Sequence, residues 1–309
     1  MVSELKDKFK GTLFGVAIGD ALGNPLEGMT PERIVQKYGE VIDYQELWEP
    51  KGTFTDDTEL TLCTAKSLIK SKRLNLEDLA NRFIRWLPDS NSFGITCQSA
   101  IVNLKQGKKP HESGINSPGN GGAMRVSPLG LVYSKESDTD KLYQLIKDST
   151  KVTHDNPQAI AGALAVGFGL TYLIRLGENL NPMKMLDYIC DITKREDIGF
   201  SNKLSLVRNT LNLTPKEAAS LLGTSSNVLE SVPFALYCFL KNINDFEDNL
   251  VSAINAGGDT DTNASITGAF SGCYHGAKYI PKRWILGLRE AKQIKNITNQ
   301  LFRLYQSRN

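Results

Sequence analysis

Apolar residues along this chain recur at helical rather than strand spacing. Leu60, Cys63, Ala65, Leu68 and Ile69 predict a helix over residues 58–71, and residues 76–87 repeat the pattern. The pair Asn156-Pro157 opens a further helix reaching about residue 175, because asparagine caps well and proline suits the first helical position. Its most apolar part, IAGALAVGFGLTYLI (residues 160–174), contains three glycines and falls short of the roughly 20 residues a bilayer demands, so it predicts a buried central helix. Helices are also predicted over 182–192, after Thr214-Pro215-Lys216-Glu217, over 230–240 and over 246–254.

Two segments are rich in small residues. Gly11, Gly15, Gly19 and Gly23 recur every fourth residue, with Leu13, Phe14, Val16 and Ile18 between them. In a helix those glycines share one face and admit another backbone. Residues 262–279 carry Ala264, Ser265, Gly268, Ala269, Ser271, Gly272 and Gly276, the composition of a second tightly packed helix. Strands do not alternate with helices, which argues against a doubly wound sheet. The chain reads as a single all-α domain over residues 1–309. The stretch 105–123, rich in Gly, Pro, Ser and Asn, is a long loop of the kind that is functional or disordered.

The composition adds mainly exclusions. Across 309 residues, 36 Lys and Arg balance 34 Asp and Glu, giving a net charge of +2 and no general sign of nucleic-acid binding. The five cysteines, Cys63, Cys97, Cys190, Cys238 and Cys273, are scattered without a C-x-x-C pair, which predicts reduced, mostly buried thiols. The N-terminal segment lacks the features of a secretory signal, so the expectation is a cytoplasmic protein with no membrane partner. The oligomeric state stays open, the balance resting with a monomer.

Two acidic clusters stand at predicted helix starts. One is Thr55-Asp56-Asp57-Thr58 and the other Asp259-Thr260-Asp261-Thr262. Helix capping accounts for one acid and one hydroxyl at each start. Doubled carboxylates beside apolar sequence instead predict a compensating cation. The donors are all oxygens, which favours Mg²⁺ or Mn²⁺ over zinc, and convergence of the clusters would allow two ions. A third segment, Gly119-Asn120-Gly121-Gly122-Ala123-Met124-Arg125, reads either as an oxyanion cradle or as a plain flexible loop. His154, just before the Asn156-Pro157 start, reads as structural or as a ligand contact. No G-x-S-x-G elbow supports acyl-enzyme chemistry, and no cysteine has an electropositive setting for a Cys-His pair.

Together these segments resemble the ADP-ribosylglycohydrolase family. The matching blocks are GVAIGDALGNPLEGM (15–29), GTFTDDTELTL (52–62), GNGGAMRVSPLG (119–130), THDNPQAIAGALA (153–165) and AGGDTDTNASITGA (256–269). The resemblance implies a compact, orthogonal all-α bundle with two Mg²⁺ or Mn²⁺ ions. It implies Thr55, Asp56, Asp57, Asp259, Asp261 and Thr262 as metal ligands, and Glu27, Asp56 and Asp57 as catalytic residues. The loop from Gly119 to Arg125 and His154 would then contact ADP-ribose. The implied reaction is metal-dependent hydrolysis of the bond joining ADP-ribose to a modified protein, nucleobase or small molecule. Residues 189–227 match less well and leave the acceptor open.

Competing readings are a non-catalytic ADP-ribose-binding relative and a metal-dependent phosphohydrolase. The latter needs an apolar strand before Asp259, where Asn255, Ala256, Gly257 and Gly258 stand instead. A prenyl-transferase-like D-D-x-x-D is absent, because Leu60 occupies its last position.

Overall fold

A computed structural model describes residues 2–46, 49–90, 92–176 and 180–308. Helices are the main regular structure of its described residues, with two isolated bridges and no strand. The glycine stripe lies within α1 (Val2–Gly23), and the second small-residue segment forms α4 (Thr260–His275). Between them in the chain come α2 (Asp56–Ser71) and α3 (Pro157–Leu176).

Helices α1 and α4 run antiparallel in backbone contact. A methyl group added at Gly15 would lie 1.9 Å from the Gly268 carbonyl oxygen. At Gly11 it would lie 2.1 Å from the Gly272 oxygen, and at Gly19 2.1 Å from the Ala264 oxygen. The entropic cost of helix-interior glycine is thereby exchanged for close approach and dense packing. At one end of this pair, Glu27 is brought beside Asp259 and Asp261, with Asp20 in the last turn of α1.

The central helix α3 packs against Gly121–Met124, Ser127–Val132, Thr139–Lys151, Pro182–Lys194 and α4. Asn156 caps it, accepting from Gln158 N at 2.9 Å and Ala159 N at 3.2 Å. At 20 residues it is long and apolar enough to cross a membrane by length and composition. However, 78% of its most apolar window is buried inside the fold.

The predicted helix over 262–279 is interrupted. Gly276, at φ 82°, ends α4, and a separate 3₁₀ turn follows at Ala277–Tyr279. The helix predicted after Thr214-Pro215-Lys216-Glu217 is present as Pro215–Leu222, opened by a capping box between Thr214 and Glu217. The structure adds helices at Pro31–Tyr38, Thr139–Lys151 and Ala291–Gln306 to those the pattern predicts. All five cysteines are free thiols; Cys97, Cys238 and Cys273 are buried.

Candidate active site

Residues 205 positions apart meet here: Thr262 Oγ1 donates to Asp57 Oδ2 at 3.1 Å. Thr55 Oγ1 also lies 3.5 Å from Asp261 Oδ2. The two acidic clusters therefore converge, as the sequence reading required. Glu27 joins them from the turn after α1. Reciprocal backbone bonds, Gly28 N to Gly258 O at 2.8 Å and Gly258 N to Met29 O at 2.9 Å, tie that turn to the loop before α4. One carboxylate oxygen from each of Glu27, Asp259 and Asp261 then lies within 4.8 Å of the others. Glu27 is exposed at the rim, whereas both aspartates are buried.

Capping does not account for the acids. Thr55 and Asp259 occupy the N-cap positions of α2 and α4, and neither side chain makes a cap bond. The cap of α2 comes from elsewhere. Asp20, fully buried on α1, accepts from Thr55 N and Thr55 Oγ1 at 2.8 Å through one oxygen. Its other oxygen accepts from Thr58 N at 2.9 Å and Thr58 Oγ1 at 2.5 Å. Asp20 thus locks the backbone that presents Asp56 and Asp57. No motif in the sequence marks Asp20; the available signal was a lone carboxylate within an apolar, glycine-striped helix.

Six carboxyl groups crowd this region without an ion pair to any of them among the described residues. Desolvation, with the Asp20 charge next, pushes Asp56 up to about 8. Burial raises Asp20 to about 6 against its four hydrogen bonds. Burial and neighbouring aspartates hold Asp57 and Asp261 well above the ordinary carboxylate range. Partial desolvation and the Asp259 charge raise Glu27 as well. Asp57 Oδ1 is buried without a hydrogen-bond partner.

The glycine-rich segment adjoins the cluster through one residue. Asn120 Nδ2 donates to Asp259 Oδ2 at 2.6 Å. Gly119 is half-buried, and Gly121, Gly122, Ala123 and Met124 are buried in a short helical turn. The glycines serve close packing: a methyl group at Gly121 would sit 2.6 Å from His154 Cε1, and one at Gly122 2.5 Å from Thr150 Cγ2. Arg125, expected at the ligand, is corrected: it is buried beneath the loop, donating to Ser149 O at 3.1 Å and Thr153 Oγ1 at 2.7 Å. His154 is likewise buried, its Nδ1 2.9 Å from Thr153 Oγ1.

Burial and the Arg125 charge push His154 down to about 3, while burial pushes the adjacent Cys97 thiol up to about 12. A neutral imidazole beside a neutral thiol is the reverse of an activated Cys-His pair. Further site neighbours come from residues 93–104 and 189–227, which match the family only weakly. Gly94 N lies 3.4 Å from Asp56 Oδ2, and Thr224 O accepts from Asp259 N at 2.8 Å. Two cavities of about 920 and 660 Å³ lie elsewhere, and none of the six carboxyl groups lines either.

Comparison with known proteins follows the same outline. The family model described as ADP-ribosylglycohydrolase matches residues 1–309. An uncharacterized protein of Archaeoglobus fulgidus is 34% identical, over 97% of this chain and 98% of its own length. The ADP-ribosylhydrolase ARH3 of Xenopus tropicalis is 28% identical over 96% and 95%. The ADP-ribosylarginine hydrolase Tri1 of Serratia proteamaculans is 27% identical over 97% and 80%. A solved structure, titled ADP-ribosylglycohydrolase-related protein complex, superposes with a TM-score of 0.82 at 26% identity, covering 98% of this chain and 99% of that one.

Proposed function

The chain belongs to the ADP-ribosylglycohydrolase family, and on that footing we propose that it hydrolyses the glycosidic bond between ADP-ribose and an acceptor, releasing ADP-ribose. The observation that carries this reading is the meeting of Asp57 with Thr262 inside an unpaired carboxylate cluster. The substrate class is an ADP-ribosylated protein, nucleic acid or small molecule, in keeping with the names of ARH3 and the arginine hydrolase.

The reading includes two divalent cations, Mg²⁺ or Mn²⁺, held by Thr55, Asp56, Asp57, Asp259, Asp261 and Thr262. The donors fit such ions. All are oxygens, and Asp57 Oδ1 is buried without a partner. Thr55 has one hydroxyl hydrogen, committed to Asp20 at 2.8 Å, so its lone pairs face Asp261 Oδ2 at 3.5 Å. Two acceptors so placed call for positive charge between them. When bound, the cations supply that charge and polarise the sugar oxygens and the attacking water.

The chain's own groups do the remaining work. Glu27, at the rim with a raised pKa, accepts the proton of water or protonates the leaving group. Asp56 and Asp57 face the positive charge that builds on the ribose ring as the bond breaks. Half-buried Gly119 meets the diphosphate, with Asn120 tying the loop to Asp259 and His154 supporting it from below.

The test is a panel of differently linked ADP-ribose substrates, each assayed with Mg²⁺, with Mn²⁺ and with chelator. Free ADP-ribose is expected only with metal, and its release is lost in Asp56→Ala and Asp261→Ala. Parent-rate turnover by those folded variants in chelator would falsify the assignment.

A further inference from the structure

The far end of the α1–α4 pair carries a second feature that the acidic centre does not use. A cavity of about 920 Å³ opens there between the start of α1, the end of α4 and Ala291–Gln306. Helix α4 has 16 residues, so the cavity lies roughly 20 Å from the acidic cluster. Five lysines line it, Lys6, Lys8, Lys10, Lys278 and Lys295, against the carboxylates Glu4 and Asp7. Among the described residues none of the five is in an ion pair, whereas Lys70, Lys141, Lys147, Lys151 and Lys216 elsewhere each have one.

Lys8 is the informative member. It is only 6% exposed, lines the cavity, and no acceptor for its ammonium is found among the described residues. Its aliphatic stem is buried and its ammonium reaches the cavity, where an anion would supply the partner it lacks. Asp7 is already engaged, its Oδ2 accepting from Lys278 N at 3.2 Å. Beside the cations, Tyr279 is 59% exposed on the cavity wall, with the Lys278 ammonium 5.1 Å from its ring centre. The ring also packs at a tilt against His275, centroids 5.5 Å apart, and cations beside a largely exposed aromatic ring suit a ligand with phosphates and a planar base.

We propose that this cavity is a second ligand site that takes a nucleotide, its phosphates on Lys8 and the surrounding lysines and its base on Tyr279. The volume lies within the range of small-molecule sites. The proposal is independent of the hydrolytic reading, since none of the six clustered carboxyl groups lines the cavity.

Calorimetric titration of the full chain in chelator, with ATP and with inorganic tripolyphosphate as probes, tests it. Asp57→Asn is included so that binding at the acidic centre is scored separately. Both anions are expected to bind, ATP at least fivefold more tightly, with affinity falling as salt rises. Lys8→Met should weaken both at least tenfold, and so should the exposed pair Lys278→Ser with Lys295→Ser, which does not touch the core. Tyr279→Ala should weaken ATP alone, and Asp57→Asn should change neither. Unaltered ATP affinity in the lysine variants, or no saturable binding by the parent, overturns the site. Equal affinity for ATP and tripolyphosphate overturns its assignment to nucleotides.

Discussion

Thr262 Oγ1 lies 3.1 Å from Asp57 Oδ2, joining the first turn of α4 to the first turn of α2. That contact closes a ring of buried carboxylates which repel one another in the metal-free chain. Asp57→Asn keeps an acceptor for Thr262 and removes one charge. In chelator it should melt roughly 2–4 °C higher than the parent. With saturating Mn²⁺ the order should reverse, because the parent gains stability from the cation and the variant gains little. Thermal melts with and without metal check both signs.

Stability should also depend on pH in an unusual direction. The folded-state values of Asp20, Asp56, Asp57 and Asp261 are raised, to about 6 for Asp20 and about 8 for Asp56. A raised folded value means the native state holds protons that the unfolded chain releases near its ordinary value of about 3.9. The stabilisation is complete below that value and is lost as pH climbs through 6 and 8. The metal-free melting temperature should therefore fall between pH 5 and 9. With Mg²⁺ or Mn²⁺ present the slope should flatten or invert, because the ligands bind metal when deprotonated. A flat profile in chelator contradicts the burial of these acids.

Asp20 holds α2 in place without being among the proposed ligands. Asp20→Ala removes four hydrogen bonds from the start of α2. It should cost about 2–4 kcal/mol of stability and weaken Mn²⁺ binding at least tenfold. Thr58→Ser retains the hydroxyl and should bind Mn²⁺ within a factor of three of the parent. Calorimetric metal titration beside denaturant unfolding separates the two effects.

The α1–α4 contact should tolerate no side chain. Gly15→Ala places a methyl group 1.9 Å from a backbone oxygen and should cost about 3 kcal/mol or prevent folding. Gly94→Ala meets nothing within 4 Å and should change stability by less than about 1 kcal/mol. Unchanged stability in Gly15→Ala, or the gain that alanine's higher helix propensity would give, would show that backbone approach does not require the glycines.

Glu27 stands at the rim, so its removal should leave the cluster assembled. Glu27→Gln is expected to lower kcat by roughly 10²–10⁴-fold. Its Mn²⁺ affinity should stay within about threefold of the parent, and its melting temperature should be unchanged. Turnover at the parent rate would remove Glu27 from the proton-transfer role.

Local signals in this chain were legible because they rest on short-range chemistry. Glycine every fourth residue, asparagine before Pro157 and the Thr214–Glu217 box each act within a helical turn or two, and the structure realises each of them. Oxygen-only donors at two helix starts were readable as residue types for the same reason. What the tertiary structure decided was geometry between distant segments. The zipper of Gly11, Gly15 and Gly19 against α4 placed Asp20, a residue with no motif around it, beneath Thr55 and Thr58. It also sent Arg125 inward, where Thr153 and the Ser149 carbonyl accept from one end of a guanidinium whose Nε is left without a partner, and which the family resemblance had placed at ADP-ribose. Which face of a residue meets water depends on what packs against it from far along the chain, and only the folded backbone sets that.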